Sequence, residues 1–109
     1  MKLFTTEILT KLTKAGYNNN VPICKLFCPW NGCTWLITGI EDGILYGIAD
    51  LNMQCVESGG ISSIQEMETI IGPFGLKVER DLYWSNKKKS DGTEWTTCDY
   101  TALDTLSGI

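Results

Sequence analysis

The sequence predicts an α+β fold, in which a small antiparallel sheet of four to five strands carries an N-terminal helix and a short helix before the last strand. Three observations predict it: a helical apolar pattern near the N-terminus, three successive apolar runs of strand length separated by turn signals, and a helix-capping pattern just before a Gly-Pro pair. With 109 residues the chain is long enough for one domain and too short for two, and 43% hydrophobic residues can build a core. We assign residues 1–85 to the α+β domain and residues 86–109 to a polar extension with a short, weakly patterned C-terminal helix.

The first element is an amphipathic helix over residues 5–15. Its apolar residues recur at helical spacing and share one face: Ile8, Leu9, Leu12 and Ala15. Thr5 or Thr6 would cap its N-terminus, and Gly16 would end it.

Three strands follow, over residues 21–27, 33–40 and 44–49. Pro29 to Gly32 separates the first two, and its Asn-Gly pair tolerates positive φ, which predicts a tight hairpin. Glu41-Asp42-Gly43 is the next turn signal. Residues 54–58 would add a fourth strand before Gly59-Gly60 turns the chain.

A short helix is predicted next, because Ser62 with Gln65, or Ser63 with Glu66, has capping-box spacing. The Gly-Pro pair at 72–73 would end this helix. Residues 76–84 then form the last strand of the sheet, with Arg80 on its otherwise apolar face. In the extension, Asp99 would cap a terminal helix that Gly108 ends.

Charge disfavours nucleic acid as a direct partner. Thirteen acidic and nine basic residues give a formal charge of -4, and this opposes general affinity for phosphate backbones. The basic run at 87–89 lies among turn-forming residues and is best interpreted as a solvated turn rather than a phosphate site. No segment has the apolar length to cross a bilayer, and the N-terminus lacks a signal-peptide core, so we expect a cytoplasmic protein with no membrane partner.

The chain contains no histidine, which excludes histidine-based triads and the commonest zinc ligand. The five cysteines, in a chain without an export signal, indicate reduced thiols. Cys24, Cys28 and Cys33 could form a four-thiolate zinc site with Cys55 or Cys98, but the paired Cys-x2-Cys spacing is missing, and we prefer buried structural thiols. We therefore expect no metal and no cofactor. A nucleophilic cysteine could be activated only by Lys25 or Arg80.

Aromatic side chains supply the first binding candidates. Trp30 and Trp35, among the four tryptophans, offer flat surfaces for a base or for a partner's side chain. Trp30 is the better surface candidate because it lies at the hairpin turn. The Gly72-Pro73-Phe74-Gly75 loop lacks the pattern of a phosphate cradle, and we interpret it as a rigid turn that presents Phe74.

The triplet Glu79-Arg80-Asp81 supplies the charged candidates. An inward-facing Arg80 needs a carboxylate or carbonyl partner, because an unpaired buried charge costs several kcal/mol, and Asp50 is one candidate. A structural ion pair is the preferred interpretation, with a ligand-binding arginine as the alternative.

A resemblance to a known family rests on Met1-Lys2-Leu3-Phe4-Thr5, on the segment from Pro29-Trp30 to Thr34-Trp35, and above all on Gly-Pro-Phe-Gly-Leu-x-Val-Glu-Arg-Asp-Leu-x-Trp at 72–84. Over residues 1 to 85 the chain resembles small domains of unknown function from bacterial conjugative elements, plasmids and phages, often near antirestriction genes. The cysteine cluster departs from the family pattern.

The resemblance implies an accessory protein of a mobile element with no catalytic residues to carry over. We expect a non-enzymatic counter-defence protein that binds a host defence protein or sequesters a nucleotide signal. One alternative is a small enzyme that uses Glu79, Asp81 or Asp50 with Arg80. Another is a homo-oligomeric interaction module that assembles through edge strands.

Overall fold

The computed structural model describes residues 3–51, 56–103, 105–106 and 109. It contains one five-stranded antiparallel sheet in the order β4-β3-β2-β1-β5, which confirms the α+β class. The elements are α1 (Thr6–Ala15), β1 (Cys24–Phe27), β2 (Thr34–Glu41), β3 (Ile44–Asp50), β4 (Glu57–Ser63), α2 (Ile64–Thr69), a 3-10 turn (Pro73–Gly75), β5 (Glu79–Arg80) and α3 (Thr97–Thr101). Within these described ranges, no helix is both long and apolar enough to cross a membrane.

Helix α1 begins and ends as its sequence predicts. The Thr5 side chain accepts a hydrogen bond from the backbone N–H of Ile8, and the Gly16 N–H donates to the Leu12 carbonyl with Gly16 at φ 66°. The apolar face of the helix packs on the sheet, where Leu12 is fully buried.

The two predicted turns between the central strands are present but differ in form. Asp42 and Gly43 both have positive φ, 51° and 76°, which is the geometry of a two-residue type I′ hairpin turn. The other turn is wider than predicted: residues 29–32 form a four-residue loop, closed by a 2.9 Å bond from the Cys28 N–H to the Cys33 carbonyl. Gly32 supplies the required positive φ of 77°.

Strand β4 corrects one prediction. It runs through Gly59 and Gly60 instead of turning there, because both residues pair with β3. Residues 52–55, where part of the expected strand falls, lie outside the described residues. The predicted helix start is confirmed at Ser63, the N-cap, whose hydroxyl accepts from the Glu66 N–H at 3.0 Å.

Strand β5 is shorter than the predicted residues 76–84. Glu79 and Arg80 pair with β1, and the Asp81 N–H also donates to the Lys25 carbonyl at 3.0 Å. The chain then turns, because the Asp81 carboxylate accepts from the Tyr83 N–H at 3.0 Å. The predicted alternation therefore holds as far as Arg80, and then Leu82 is 59% exposed instead of buried.

Both faces of the sheet are covered. Helices α1 and α2 pack over one face, with Leu26 and Trp35 in that core, whereas the segment after residue 84 packs over the other face, where Tyr100 and Leu106 bury Leu36 and Ile48. The basic run lies in a small hairpin within this segment, closed by a 2.9 Å bond from Trp95 N–H to the Lys87 carbonyl.

Helix α3 lies in the predicted place but its cap differs. Thr96 is the capping residue, and the Asp99 carboxylate reaches back to the Thr96 N–H at 2.8 Å from the third helical position. The predicted end at Gly108 lies outside the described residues. The polar extension thus completes the second core.

Candidate functional site

An exposed apolar surface follows the Gly72–Trp84 sequence motif. Of the eight large hydrophobic residues that are exposed in the described ranges, five lie between residues 71 and 83. We call these five the motif surface: Ile71, Phe74, Leu76, Leu82 and Tyr83. Exposed apolar residues concentrated in one short segment indicate an interaction site more than scattered ones do.

Phe74 is the most exposed member of the motif surface. Its side chain has no measurable shielding, at 102% relative exposure, and its backbone lies in the left-handed region at φ 58° and ψ 24°. That conformation costs a non-glycine residue about 1–2 kcal/mol. Hydrogen bonds on either side hold it: the Gly72 N–H donates to the Leu76 carbonyl at 2.7 Å, and the Leu76 N–H donates to Pro73 at 3.1 Å. The turn presents Phe74 as its sequence predicts.

The Trp30 side chain packs between the main core and the turn that carries Phe74. The indole is partly buried against the main core, and a Cβ built on Gly72 would lie 2.4–2.6 Å from three of its ring atoms. Gly72 therefore gives the turn its close approach to Trp30. Trp35, the other tryptophan candidate, is a core residue at 6% exposure and is not available to a ligand.

Arg80 faces inward, as predicted. It is 8% exposed, and its guanidinium donates a hydrogen bond to the Leu3 carbonyl. Its neighbour across the sheet is Leu26, so its side chain enters the core that α1 covers. We predicted a carboxylate or a carbonyl partner for this arginine, and the Leu3 carbonyl is that partner.

Asp50, the other suggested partner, projects from the opposite face. It pairs with Thr34, two residues before Leu36 of the second core, and its carboxylate accepts from the Thr105 hydroxyl at 2.7 Å and the Leu106 N–H at 2.8 Å. The buried Asp50 fastens the C-terminal segment to the sheet. Asp50 and Arg80 therefore lie on opposite faces of the sheet and do not form one catalytic site.

Glu79 and Asp81 lie together at the sheet edge. Together with Arg80 they border an open pocket of about 400 Å³ whose apolar wall comes from Phe27, Leu82 and Tyr83. The Asp81 carboxylate lies 3.8 Å from the Lys25 Nζ, which also donates to the Ile109 carbonyl at 2.9 Å. This pocket continues the motif surface and adds acidic groups to it, but neither Trp30 nor Phe74 lines it.

The three clustered thiols have the buried environment that we preferred, whereas Cys98 is exposed. Cys24, Cys28 and Cys33 are buried, and desolvation raises the pKa of Cys24 to about 12 and that of Cys28 to about 11. Cys28 and Cys33 meet across the hairpin, and their side chains share a hydrogen bond. Among the described residues no group of three or more metal-ligating side chains comes together; Cys55 lies outside them.

Sequence reasoning missed a second concave feature, at the β4 side of the sheet. A cleft of about 280 Å³ forms between the loop after α1 and strands β3 and β4. We call it the tyrosine cleft, because Tyr17 and Tyr46 meet in it with ring centroids 6.1 Å apart. Its sequence signal, the run Tyr17-Asn18-Asn19-Asn20, is indistinguishable from an ordinary polar loop.

These features define a class of protein: a small antiparallel α+β domain with an apolar presentation surface at one end of the sheet and an uncharged cleft at the other. Residues 3–97 match the family described as Protein of unknown function (DUF2958), and the chain belongs to that family. No curated protein and no solved structure matches the chain.

Proposed function

We propose that this protein is a non-enzymatic accessory protein of a phage or other mobile element, which protects the element by binding a host defence protein through the motif surface. The carrying observation is Phe74, a fully exposed aromatic held in a strained left-handed conformation. Strain of this kind persists where surrounding structure maintains it, and it concentrates at functional positions.

The composition of the surface supports a protein partner rather than a small molecule. Phe74 and Tyr83 are large, nearly fully exposed aromatics, a residue type enriched among the residues that dominate binding energy at protein interfaces. Glu79 and Asp81 border the same region, and the chain carries a net charge of -4. A basic partner, such as a nuclease with a positively charged groove, would meet complementary charge there.

The resemblance to domains from conjugative elements, plasmids and phages supports the counter-defence part of the proposal, with action in the cytoplasm of the bacterial host. The enzymatic alternative has one observation in its favour, since Glu79, Arg80 and Asp81 line the same pocket. It receives less support than a binding role, because the Arg80 guanidinium bonds the Leu3 carbonyl in the core and Asp50 bonds the C-terminal segment on the other face. Assembly of the chain with itself through the same surface is the competing use of an apolar patch.

The test compares the wild-type chain with the double variant Phe74→Ala/Tyr83→Ala in a bacterial host that carries an active nucleolytic defence system. Phage plating efficiency is measured with each variant expressed, and recovery of the same host protein is measured in parallel pull-downs. Wild-type protein should restore plating and recover the partner. Loss of a dominant interface residue costs about 2 kcal/mol or more, or about thirtyfold in affinity, so the double variant should lose both.

Ile44→Ala is the matched control, since Ile44 is also an exposed apolar residue, at 37%, but lies outside the motif surface. It should protect as well as wild type. Equal protection by the double variant would overturn the role of the motif surface, and a wild-type protein that protects against no defence system would overturn the function itself. Light scattering that shows a dimer lost only in the double variant would favour self-assembly instead.

A further inference from the structure

The tyrosine cleft is an uncharged, hydrogen-bonding cavity that the proposed function does not use. Among the residues that the structure describes, its lining contains no Asp, Glu, Lys or Arg, although these types make up 20% of the sequence. A phosphate or a carboxylate would find no countercharge there, and an apolar ligand would leave amides and hydroxyls unpaired. The lining therefore favours a neutral ligand that carries donors and acceptors of its own.

Two aromatic rings form one wall of the cleft. The Tyr17 and Tyr46 rings are tilted by 51° with centroids 6.1 Å apart, and Tyr17 is 54% exposed although it lies beside a cavity. An exposed ring face at a cleft mouth is a platform on which a planar heterocycle stacks.

The loop after α1 carries three consecutive asparagines, Asn18, Asn19 and Asn20, and their side chains differ in hydrogen bonding. Asn19 is fully engaged: its amide donates to the Val21 and Thr38 carbonyls, both at 2.8 Å, and its oxygen accepts from the Val21 N–H at 3.2 Å. In the part of the chain that the structure describes, the side-chain amides of its neighbours Asn18 and Asn20 make no hydrogen bond, and both residues line the cleft. The central residue thus anchors the loop, and the two flanking amides are available to pair with a ligand's edge.

The floor of the cleft is kept clear by glycine. Gly47 and Gly59 pair across β3 and β4 beside a β-bulge, with φ of 153° and 110°. A Cβ on Gly47 would lie 2.0 Å from the Leu36 carbonyl oxygen, so no side chain is admitted there, while the space above Gly59 is open. Bulges of this kind are over-represented next to binding sites because they reshape a sheet edge.

From the rings, the amides, the clear floor and the missing charge we infer that the tyrosine cleft binds a nucleobase or an uncharged nucleoside. The base stacks on Tyr17, and Asn18 and Asn20 pair with its polar edge, in the way single-stranded bases are recognised by aromatic and amide side chains. A volume of about 280 Å³ suits one ring system. Any phosphate on the ligand would extend into solvent and add no affinity.

The test uses adenosine, guanosine, cytidine and uridine as probes against the full chain. Saturation-transfer NMR should show contact to base protons of at least one nucleoside, and titration should shift the side-chain amide signals of Asn18 and Asn20. The corresponding 5′-monophosphate should bind no more tightly. Tyr17→Ala should weaken binding by roughly tenfold, since it removes the stacking surface. Asn18→Ala should weaken it severalfold, and Ile44→Ala should leave it unchanged.

Amide spectra of each variant report whether it is folded, and both substitutions fall on exposed loop residues. Absence of contact from all four nucleosides at millimolar concentration would overturn the inference. So would binding that Tyr17→Ala and Asn18→Ala leave intact, or monophosphates that bind more than tenfold tighter. Shifts produced by methyl glucoside but by no nucleoside would assign the cleft to a sugar and also overturn it. Phage protection plays no part in this measurement, so it can fail while the proposed function stands.

Discussion

The two ends of the sheet differ in what they expose. At the β5 end, the motif surface presents apolar side chains outward from a strained turn; at the β4 end, the tyrosine cleft draws uncharged polar groups inward around a glycine floor. An exposed apolar surface gains free energy when a partner covers it, whereas a small polar cleft can enclose a small ligand. One small domain thus carries two surfaces suited to partners of very different size.

At each end of the sheet, one glycine packs so closely against a neighbouring residue that a side chain would not fit, but the neighbouring atoms differ. A Cβ on Gly39 would lie 1.7 Å from the carbonyl oxygen of Gly16, at the base of the loop that leads into the cleft, while a Cβ on Gly72 would meet the Trp30 indole. A backbone carbonyl is fixed by its neighbours, and an indole can rotate or shift. The cleft end should therefore be the more rigid and the less tolerant of substitution.

The largest expected effect tests this difference directly. Gly39→Ala should lower the free energy of unfolding by about 3 kcal/mol or more, because the methyl group must displace backbone. Gly72→Ala should cost about 1–2 kcal/mol, because the side chain that it meets can move. Neither glycine has positive φ, so strain in the left-handed region does not contribute to either value. Urea denaturation measures both, and equal losses would contradict the rigidity argument.

Arg80 provides the next test, since it connects the motif to the core. Arg80→Met should lower the free energy of unfolding by about 1–3 kcal/mol, because the buried Leu3 carbonyl loses its donor. Lys77→Met, at an exposed position in the same segment, should change it by less than about 0.5 kcal/mol. A loss of partner binding with unchanged stability in Arg80→Met would instead make Arg80 a binding residue.

A substitution at Phe74 should change the free energy of unfolding by less and should increase it. Phe74→Gly should raise the free energy of unfolding by up to about 1 kcal/mol, because glycine adopts φ 58° without steric cost. Phe74→Ala removes the same ring but keeps the strained conformation, so it should give no such gain. Thermal unfolding of both variants separates these contributions, and a destabilised Phe74→Gly would show that the ring packs against the protein.

The last test concerns alkaline pH and the buried thiol of Cys28. Burial raises the pKa of Cys28 to about 11, so this thiol stays neutral in the folded state while an unfolded thiol ionises near 9. Because the native state then holds more protons, stability should fall as pH rises from about 9 to 11. Cys28→Ser should reduce the pH dependence of urea midpoints over this range. An identical slope in wild type and variant would contradict it.

Local signals predict most of the fold. Apolar spacing and the Thr5 cap predict α1, Asp42-Gly43 predicts the hairpin between β2 and β3, and Ser63 with Glu66 predicts the start of α2. Each of these depends on residues within four positions of one another. Local chemistry is sufficient where no distant segment competes with it.

Pairing with β3 explains one difference from the predicted fold, and a local turn at Asp81 explains the other. Gly59 and Gly60 have turn propensity, but ladder bonds to β3 hold them in a strand, and β5 ends at Asp81 because its carboxylate caps a turn that the alternating pattern does not reveal. For the site, the presented Phe74 follows from its Gly-Pro-Phe-Gly turn. The tyrosine cleft does not, because Tyr17, Tyr46 and Ser58 come together only through the sheet register.

The hydrogen bond from Arg80 to Leu3 has a consequence for the order of folding. It joins residues 77 positions apart, so the segment before α1 gains this contact only after β5 has been synthesised and has paired with β1. Contacts of such long sequence separation form late and slow the overall rate. During translation the Leu3 carbonyl should therefore lack its Arg80 donor until residue 80 has been synthesised.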